Sequence, residues 1–310
     1  MNVPYLNRLT LAAGALALVT APLHATTYSV SLNSSYFGWL DQYSLDTFDL
    51  PGNEACVPTS STNAMTYLQN AYSGYYGTTL TGTTYSSWEA TAEVLMGSDY
   101  MDTTNSGTAY ERVPYALNKY IVSDYGFTQT LFSGMYLSSD YWDPPTWSNP
   151  GYITDSAPTS SFFLNSLGDG AATLFSILYP SSEGGGGHYL LASGLVWDDS
   201  NNDGIIQFSE NAALSFVDPL DPAYYSSGEP SSGPKMTSGH LYYDTEGGVL
   251  KMRYDQYYGD LPYDHTKYDE QTDLIIDTVF SINVVPEPQT WAAWVGLAAL
   301  GLCLWRRRQA

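Results

Sequence analysis

Apolar positions recur at two spacings along this chain, dividing it into helical and extended stretches. Met65, Leu68 and Tyr72 fall on one face at helical spacing, and Pro58 ahead of them suits a first helical turn, where its missing N–H would be unpaired anyway. The pattern predicts a helix whose N-terminus lies at Cys56 or just after it. Further helices are expected over Ser86–Met96, over Tyr110–Val122 with Val113, Leu117 and Ile121 on one face, and over Ser160–Leu167. Strands are expected at TYSVSLN from Thr27, near Thr128–Phe132, and at ATLFSILY, YLLASGLVW and AALSFV. HLYYD, GGVLKMRYD and DLIIDTVFSINVV complete the set. No internal repeat or long linker interrupts residues 26–285. The elements predict one α+β domain in which helices pack on an antiparallel sheet.

Both ends carry a different pattern. Residues 1–25 read as a secretory signal: Arg8 closes a short basic region, LTLAAGALALVTA is the apolar core, and Leu23-His24-Ala25 offers the cleavage site. At the other end, residues 286–310 join Pro286-Glu287-Pro288, an apolar span from Trp291 to Trp305, and Arg306-Arg307-Arg308. This order resembles the PEP-CTERM sorting signal of exported proteins in bacteria with two membranes. The resemblance implies a transient stay of the span in the inner membrane and cutting by an exosortase-type enzyme. The destination is then the periplasm, the cell surface or the extracellular matrix.

Without those segments the charge sharpens. Removing Arg8 and the three terminal arginines leaves 6 of the 10 cations against all 32 acidic residues, a balance of −26 between Thr26 and Pro288. Such a surface repels phosphate backbones and argues against nucleic acid as a partner.

Of the two cysteines, Cys303 belongs to the terminal span, so Cys56 is effectively alone. A solitary cysteine in an exported chain is a buried filler or a thiol kept for reactivity, and a helix N-terminus favours its thiolate. His188 follows the glycine run Gly184–Gly187 and opens an apolar strand, and Asp218 closes the next strand in VDPLDP. Thiol, imidazole and carboxylate in that order are what acyl transfer by cysteine requires: nucleophile, base and orienting acid. His240 and His265 lie in tyrosine-rich surroundings and are read as non-catalytic. The glycine run and the Trp142–Tyr152 loop are candidate cleft walls.

GWLDQ ahead of NEACVPTSSTNAM, then GGHYLLASGLVWDD and SFVDPLDP, resemble the papain-like cysteine endopeptidases of the immunoglobulin-cleaving IdeS/Mac type. The likeness covers about Phe37–Leu68 and Gly184–Pro222. It implies a papain-like fold, a protein or peptide substrate, and catalytic roles for Cys56, His188 and Asp218, with Asp221 as a second acid. Papain-like enzymes also need a side-chain donor to the oxyanion. The glutamine often found six residues before the cysteine is replaced here by Leu50, so Gln42 is the first choice and Asn53 the alternative.

Residues 199–210, DSNNDGIIQFSE, match the spacing of a twelve-position calcium loop: Asp199, Asn201 and Asp203, Gly204 at the turn, the Ile205 carbonyl, and Glu210. Because the loop joins the strand of His188 to that of Asp218, a structural Ca2+ is expected there. Two other functions stay open: a calcium-stabilised surface or matrix binding protein with an idle thiol, and acyl transfer to an amine by the same three residues.

Overall fold

The computed structural model describes residues 25–45, 54–137, 151–180, 186–220, 233–234, 236–244, 248–254 and 272–285. Both terminal signal segments, Asn53, Asp221, His265 and most of the Trp142–Tyr152 loop lie outside them. Among the described residues no helix is long and apolar enough to cross a membrane.

In chain order, β1 (Thr26–Ser31) leads to α1 (Cys56–Ala71), the short α2 (Ser73–Tyr76), α3 (Tyr85–Met96) and α4 (Arg112–Asn118). Then come β2 (Thr130–Tyr136), β3 (Ile153–Asp155), α5 (Ser160–Gly168), β4 (Ala172–Leu178), β5 (Gly187–Asp199) and β6 (Ala212–Val217). β7 (Met236–Tyr243), β8 (Leu250–Tyr254) and β9 (Leu274–Val284) follow. The chain is thus α+β, with a mostly antiparallel nine-stranded sheet. The helix expected over Tyr110–Val122 splits: α4 stops at Asn118 and passes into a π-helical turn over Lys119–Asp124. Val113, Leu117 and Ile121 are nonetheless fully buried.

The sheet closes on itself. β5, β6, β7, β8 and β9 pair in sequence, and β4 pairs with both β5 and β9, so six antiparallel strands form a barrel. Side chains alternate across it. Phe175, Ile177, Leu190, Leu214, Phe216 and Met252 belong to the inner cluster, closed off by Phe163 and Leu167 of α5. Leu174, Tyr189, Leu191, Val217 and Phe280 belong to the outer cluster, against α1 and α4. Closure needs sharp local bending, which a β-bulge supplies: between the Ser176–Thr278 and Ile177–Ile276 pairs, β9 carries Asp277 as an extra residue.

α1 departs from the amphipathic stripe its sequence suggests. Val57 through Gln69 are all buried, polar residues included, because the barrel, α3 and the Phe37–Leu45 segment surround the helix. Most of those polar groups are spent on hydrogen bonds. Asn63 donates to Leu40 O at 3.1 Å and accepts from Leu40 N at 2.8 Å, while Gln69 donates to Gly82 O at 2.7 Å and accepts from Thr81 N at 3.0 Å. Gly38 is required beside this clamp, since a Cβ there would lie 2.6 Å from Asn63 Oδ1 and 2.9 Å from Asn63 Cα. Each paired group contributes about 1 kcal/mol, and leaving a buried one unpaired costs more.

Candidate active site

Cys56 is the first residue of α1. The preceding residue, Ala55, offers no side-chain cap, so the first-turn N–H groups stay available to an anion at this end of the helix. The Cys56 thiol is free of any disulfide and half-buried. One turn on, Ser60 donates its hydroxyl to Tyr189 O at 2.7 Å, which fixes α1 against β5 at the residue following His188.

His188 opens β5 beside Gly187 and is 5% exposed, and Asp218, just past the end of β6, is 3% exposed. The imidazole Nε2 lies 2.8 Å from Asp218 Oδ1. The carboxylate is itself anchored: Oδ1 accepts the Leu220 N–H at 2.9 Å, and Oδ2 accepts the Tyr254 hydroxyl at 3.4 Å. A carboxylate on Nε2 places the tautomeric proton there and leaves the lone pair on Nδ1. By strand alternation His188 shares the side of Leu190, toward the barrel rim, whereas Tyr189 faces α1.

The GWLDQ segment bridges the two halves of the site. Past the Asn63 clamp, the Gln42 N–H donates to Pro219 O at 2.9 Å, next to Asp218. A short helical turn over Gln42–Leu45, which the sequence reading did not expect, holds it in place: Asp41 Oδ1 accepts from Tyr43 N at 2.7 Å and Asp41 O from Ser44 Oγ at 2.8 Å. Gln42 is 3% exposed, and its Oε1 has no hydrogen-bonding partner among the described residues.

Two residues that the sequence reading missed, Tyr110 and Asp277, lie around Tyr189 at the foot of α1. Tyr110 stacks on Tyr189 with ring centroids 6.4 Å apart and planes 19° from parallel. Burial raises both phenols, and each lies close enough to Asp277 and Cys56 to be raised further. Asp277, on the β9 bulge, is 8% exposed. Its carboxylate accepts from the Ser176 hydroxyl, which lies 2.6 Å from the Thr278 hydroxyl, and burial pushes its pKa up to about 6. A lone Tyr among 28 and an Asp inside an apolar strand give no signal in sequence.

The 199–210 loop differs from the expected cage. Asp199 accepts the N–H groups of Asp203 and Gly204 at 3.2 and 3.0 Å, Asn201 Oδ1 accepts from Asp203 N at 3.1 Å, and Asp203 accepts from Ile205 N at 2.8 Å. Gly204 takes the left-handed turn at φ +75°. Glu210, however, faces away from this hub. Its Oε1 accepts from Ser200 N and Oγ at 2.8 and 2.9 Å, and its Oε2 accepts from Trp197 Nε1 and Gln207 N, both at 3.0 Å. Burial raises its pKa, but these donors outweigh burial and lower it overall. Four donors fill the carboxylate, so as folded it does not fit the twelfth calcium position. Among the described residues no group of three or more His, Cys, Asp or Glu is placed to hold a metal ion.

His240 packs at a tilt against Phe208 and Tyr242, at 4.6 and 5.6 Å between centroids, and pairs with Ala213 toward the opposite end of β6 from Asp218. No protein-family model matches this sequence, and no curated protein compared with it matches.

Proposed function

We propose that the chain is an exported, papain-like cysteine peptidase. The observation that carries this reading is the buried His188–Asp218 pair at the rim of a closed barrel, joined through Tyr189 and Ser60 to a helix that begins with a solitary cysteine. A central helix packed on a six-stranded barrel is the architecture such chemistry uses in papain-like enzymes.

In the proposed reaction His188 takes the Cys56 proton on Nδ1, and the thiolate attacks the carbonyl carbon of a peptide bond. The Cys56 N–H and the Gln42 side-chain amide donate to the oxyanion. The imidazolium, held by Asp218, protonates the leaving nitrogen; the C–N bond breaks and an acyl-thioester remains. Water, deprotonated by His188, attacks the thioester, and the carboxylic acid leaves as the thiolate returns. If an amine took the place of water the same residues would perform acyl transfer, so products are compared with and without added amine.

Calcium enters the proposal only at the 199–210 loop, as a structural ion that must exchange for the donors now on Glu210. No catalytic step runs through it. Export and sorting by the terminal segments complete the reading, with the protein acting in the periplasm, at the surface or in the matrix.

Alkylation by iodoacetamide at about pH 6 tests the site. A thiolate paired with imidazolium reacts well below the ~8.5 of an ordinary cysteine, and His188→Ala abolishes that reactivity. Labelling that begins only above about pH 8 in the wild type identifies an idle thiol and favours a non-catalytic binding protein.

A further inference from the structure

We infer that Tyr254 is a positioning residue for the His188–Asp218 pair, reaching from the opposite wall of the barrel to hold the carboxylate against the imidazole. Its catalytic consequence rests on the peptidase reading, whereas the contact itself does not.

Around the closed ring the order is β4, β5, β6, β7, β8, β9, so β8 stands across the barrel from the strand of His188. β6 and β8 are both antiparallel to β7 and therefore run the same way. Tyr254 is the last residue of β8 and Asp218 lies just past β6, so both belong to one rim. Tyr254 is 1% exposed and is part of the inner cluster.

A column of rings fixes it there. Phe163 of α5 meets Phe175 of β4 at 5.6 Å between centroids, Phe175 meets Phe216 of β6 at 5.8 Å, and Phe216 meets Tyr254 at 5.5 Å. The planes stand 80°, 82° and 84° apart, so each contact is edge-to-face. In a close-packed interior a ring held in this way has little room to turn. Its hydroxyl is thereby presented to Asp218 Oδ2, at 3.4 Å.

The other two donors to Asp218, His188 Nε2 at 2.8 Å and Leu220 N at 2.9 Å, fall on the same oxygen, Oδ1. A carboxylate fastened by one oxygen still turns about its Cβ–Cγ bond, whose preferences are broad. A donor on the second oxygen opposes that turn and satisfies part of a buried charge. The bond is long at rest, but hydrogen bonds in a catalytic centre tighten in the working complex, here as His188 becomes imidazolium.

The test is Tyr254→Phe, which keeps the ring column and removes only the hydroxyl, with circular dichroism melts showing that the fold is retained. Proton and nitrogen NMR of histidine-labelled protein follows the Nε2 proton of His188, assigned by its loss in His188→Gln. In the wild type this proton is low-field and protected from exchange by the bond to Asp218; in Tyr254→Phe it moves upfield and exchanges faster. A hydrogen bond to an ionised group is worth about tenfold or somewhat more, so kcat/KM should fall by about tenfold. In an Asp218→Asn background the same substitution should change kcat/KM by less than about twofold, because its effect passes through the carboxylate. An Nε2 resonance unchanged by Tyr254→Phe overturns the inference, and so does a full loss of rate that persists beside Asp218→Asn. If wild type and Cys56→Ala give the same cleavage products, the peptidase reading fails instead, and the Nε2 resonance alone decides whether Tyr254 holds the pair.

Discussion

His188 meets Asp218 through Nε2, at 2.8 Å, and the same carboxylate oxygen is pinned by the Leu220 N–H. The ring's Nε2 is thereby held toward Asp218, which in the proposed reaction makes Nδ1 the base. Asp218→Asn keeps an oxygen acceptor for Nε2–H but removes the counter-charge that favours imidazolium. A fall in kcat/KM of about 10²-fold is expected, with the alkaline limb of the rate profile moved to lower pH. A pH–rate profile of the variant that superimposes on that of the wild type would show that Asp218 is structural only.

Gln42 is the proposed second donor to the oxyanion. Its truncation to Ala should lower kcat by about 10²-fold with little change in KM, because the bond forms only as charge develops. Asn53→Ala is the control, and the two roles exchange if the control is the variant that loses turnover.

Asp277 makes stability fall with rising pH. Its carboxyl is held at about 6 in the folded chain against 3.8 for the free side chain, so between those values the folded state binds more protons than the unfolded one. The advantage is complete below about 4 and is lost as pH rises through about 6, for at most about 3 kcal/mol. Urea melts from pH 4 to 7.5 should show this slope in the wild type and a flatter one in Asp277→Asn. Equal slopes would place the titrating group elsewhere.

Gly187 is a position of close approach. A Cβ there would strike the Tyr110 hydroxyl and lie 2.9 Å from Ile177 O, a backbone atom that cannot rotate away. Gly187→Ala should cost about 1–3 kcal/mol. Adding Tyr110→Ala should restore part of it, and strict additivity in thermal melts would contradict the contact.

At the 199–210 loop, calcium binding requires Glu210 to leave Trp197 Nε1, so titration with calcium should raise the melting temperature and alter indole emission together. A flat response in both removes calcium from the account. Glu210→Gln should destabilise the loop by about 1–3 kcal/mol regardless of the ion, since a charged acceptor of four bonds is lost.

Most elements were legible because their signals are local. The helix at Cys56, the helices ending at Met96 and Gly168, and the strands carrying His188 and Asp218 all follow from spacing within a dozen residues. Barrel closure was not legible, because the pairing of β4 with β9 joins residues about a hundred positions apart and nothing in either strand names its partner. The polar string Thr59-Ser60-Ser61-Thr62-Asn63 is buried as well, and its surroundings are set by tertiary structure. Ser60 and Asn63 bond to the distant Tyr189 and Leu40, Thr62 bonds the Pro58 carbonyl one turn back, and Thr59 and Ser61 have no hydrogen-bonding partner among the described residues. For the site, the order of the three chemical residues was visible, whereas Tyr110 and Asp277 acquire meaning only from what lies across from them. The twelve-position calcium spacing is present in the sequence, but in the folded chain Glu210 accepts from Trp197 Nε1 instead of facing the Asp199 hub.

A ring of strands has no loose ribbon ends. With β4 bonded to both β5 and β9, the described sheet keeps as its margins β1, β3 and the first four residues of β2, Thr130 to Ser133. Short edge strands, here Thr-Thr-Tyr-Ser-Val-Ser and Ile-Thr-Asp, make poor templates for another extended chain. The closure that seats the imidazole thereby also leaves little strand edge, among the described residues, on which another extended chain could build.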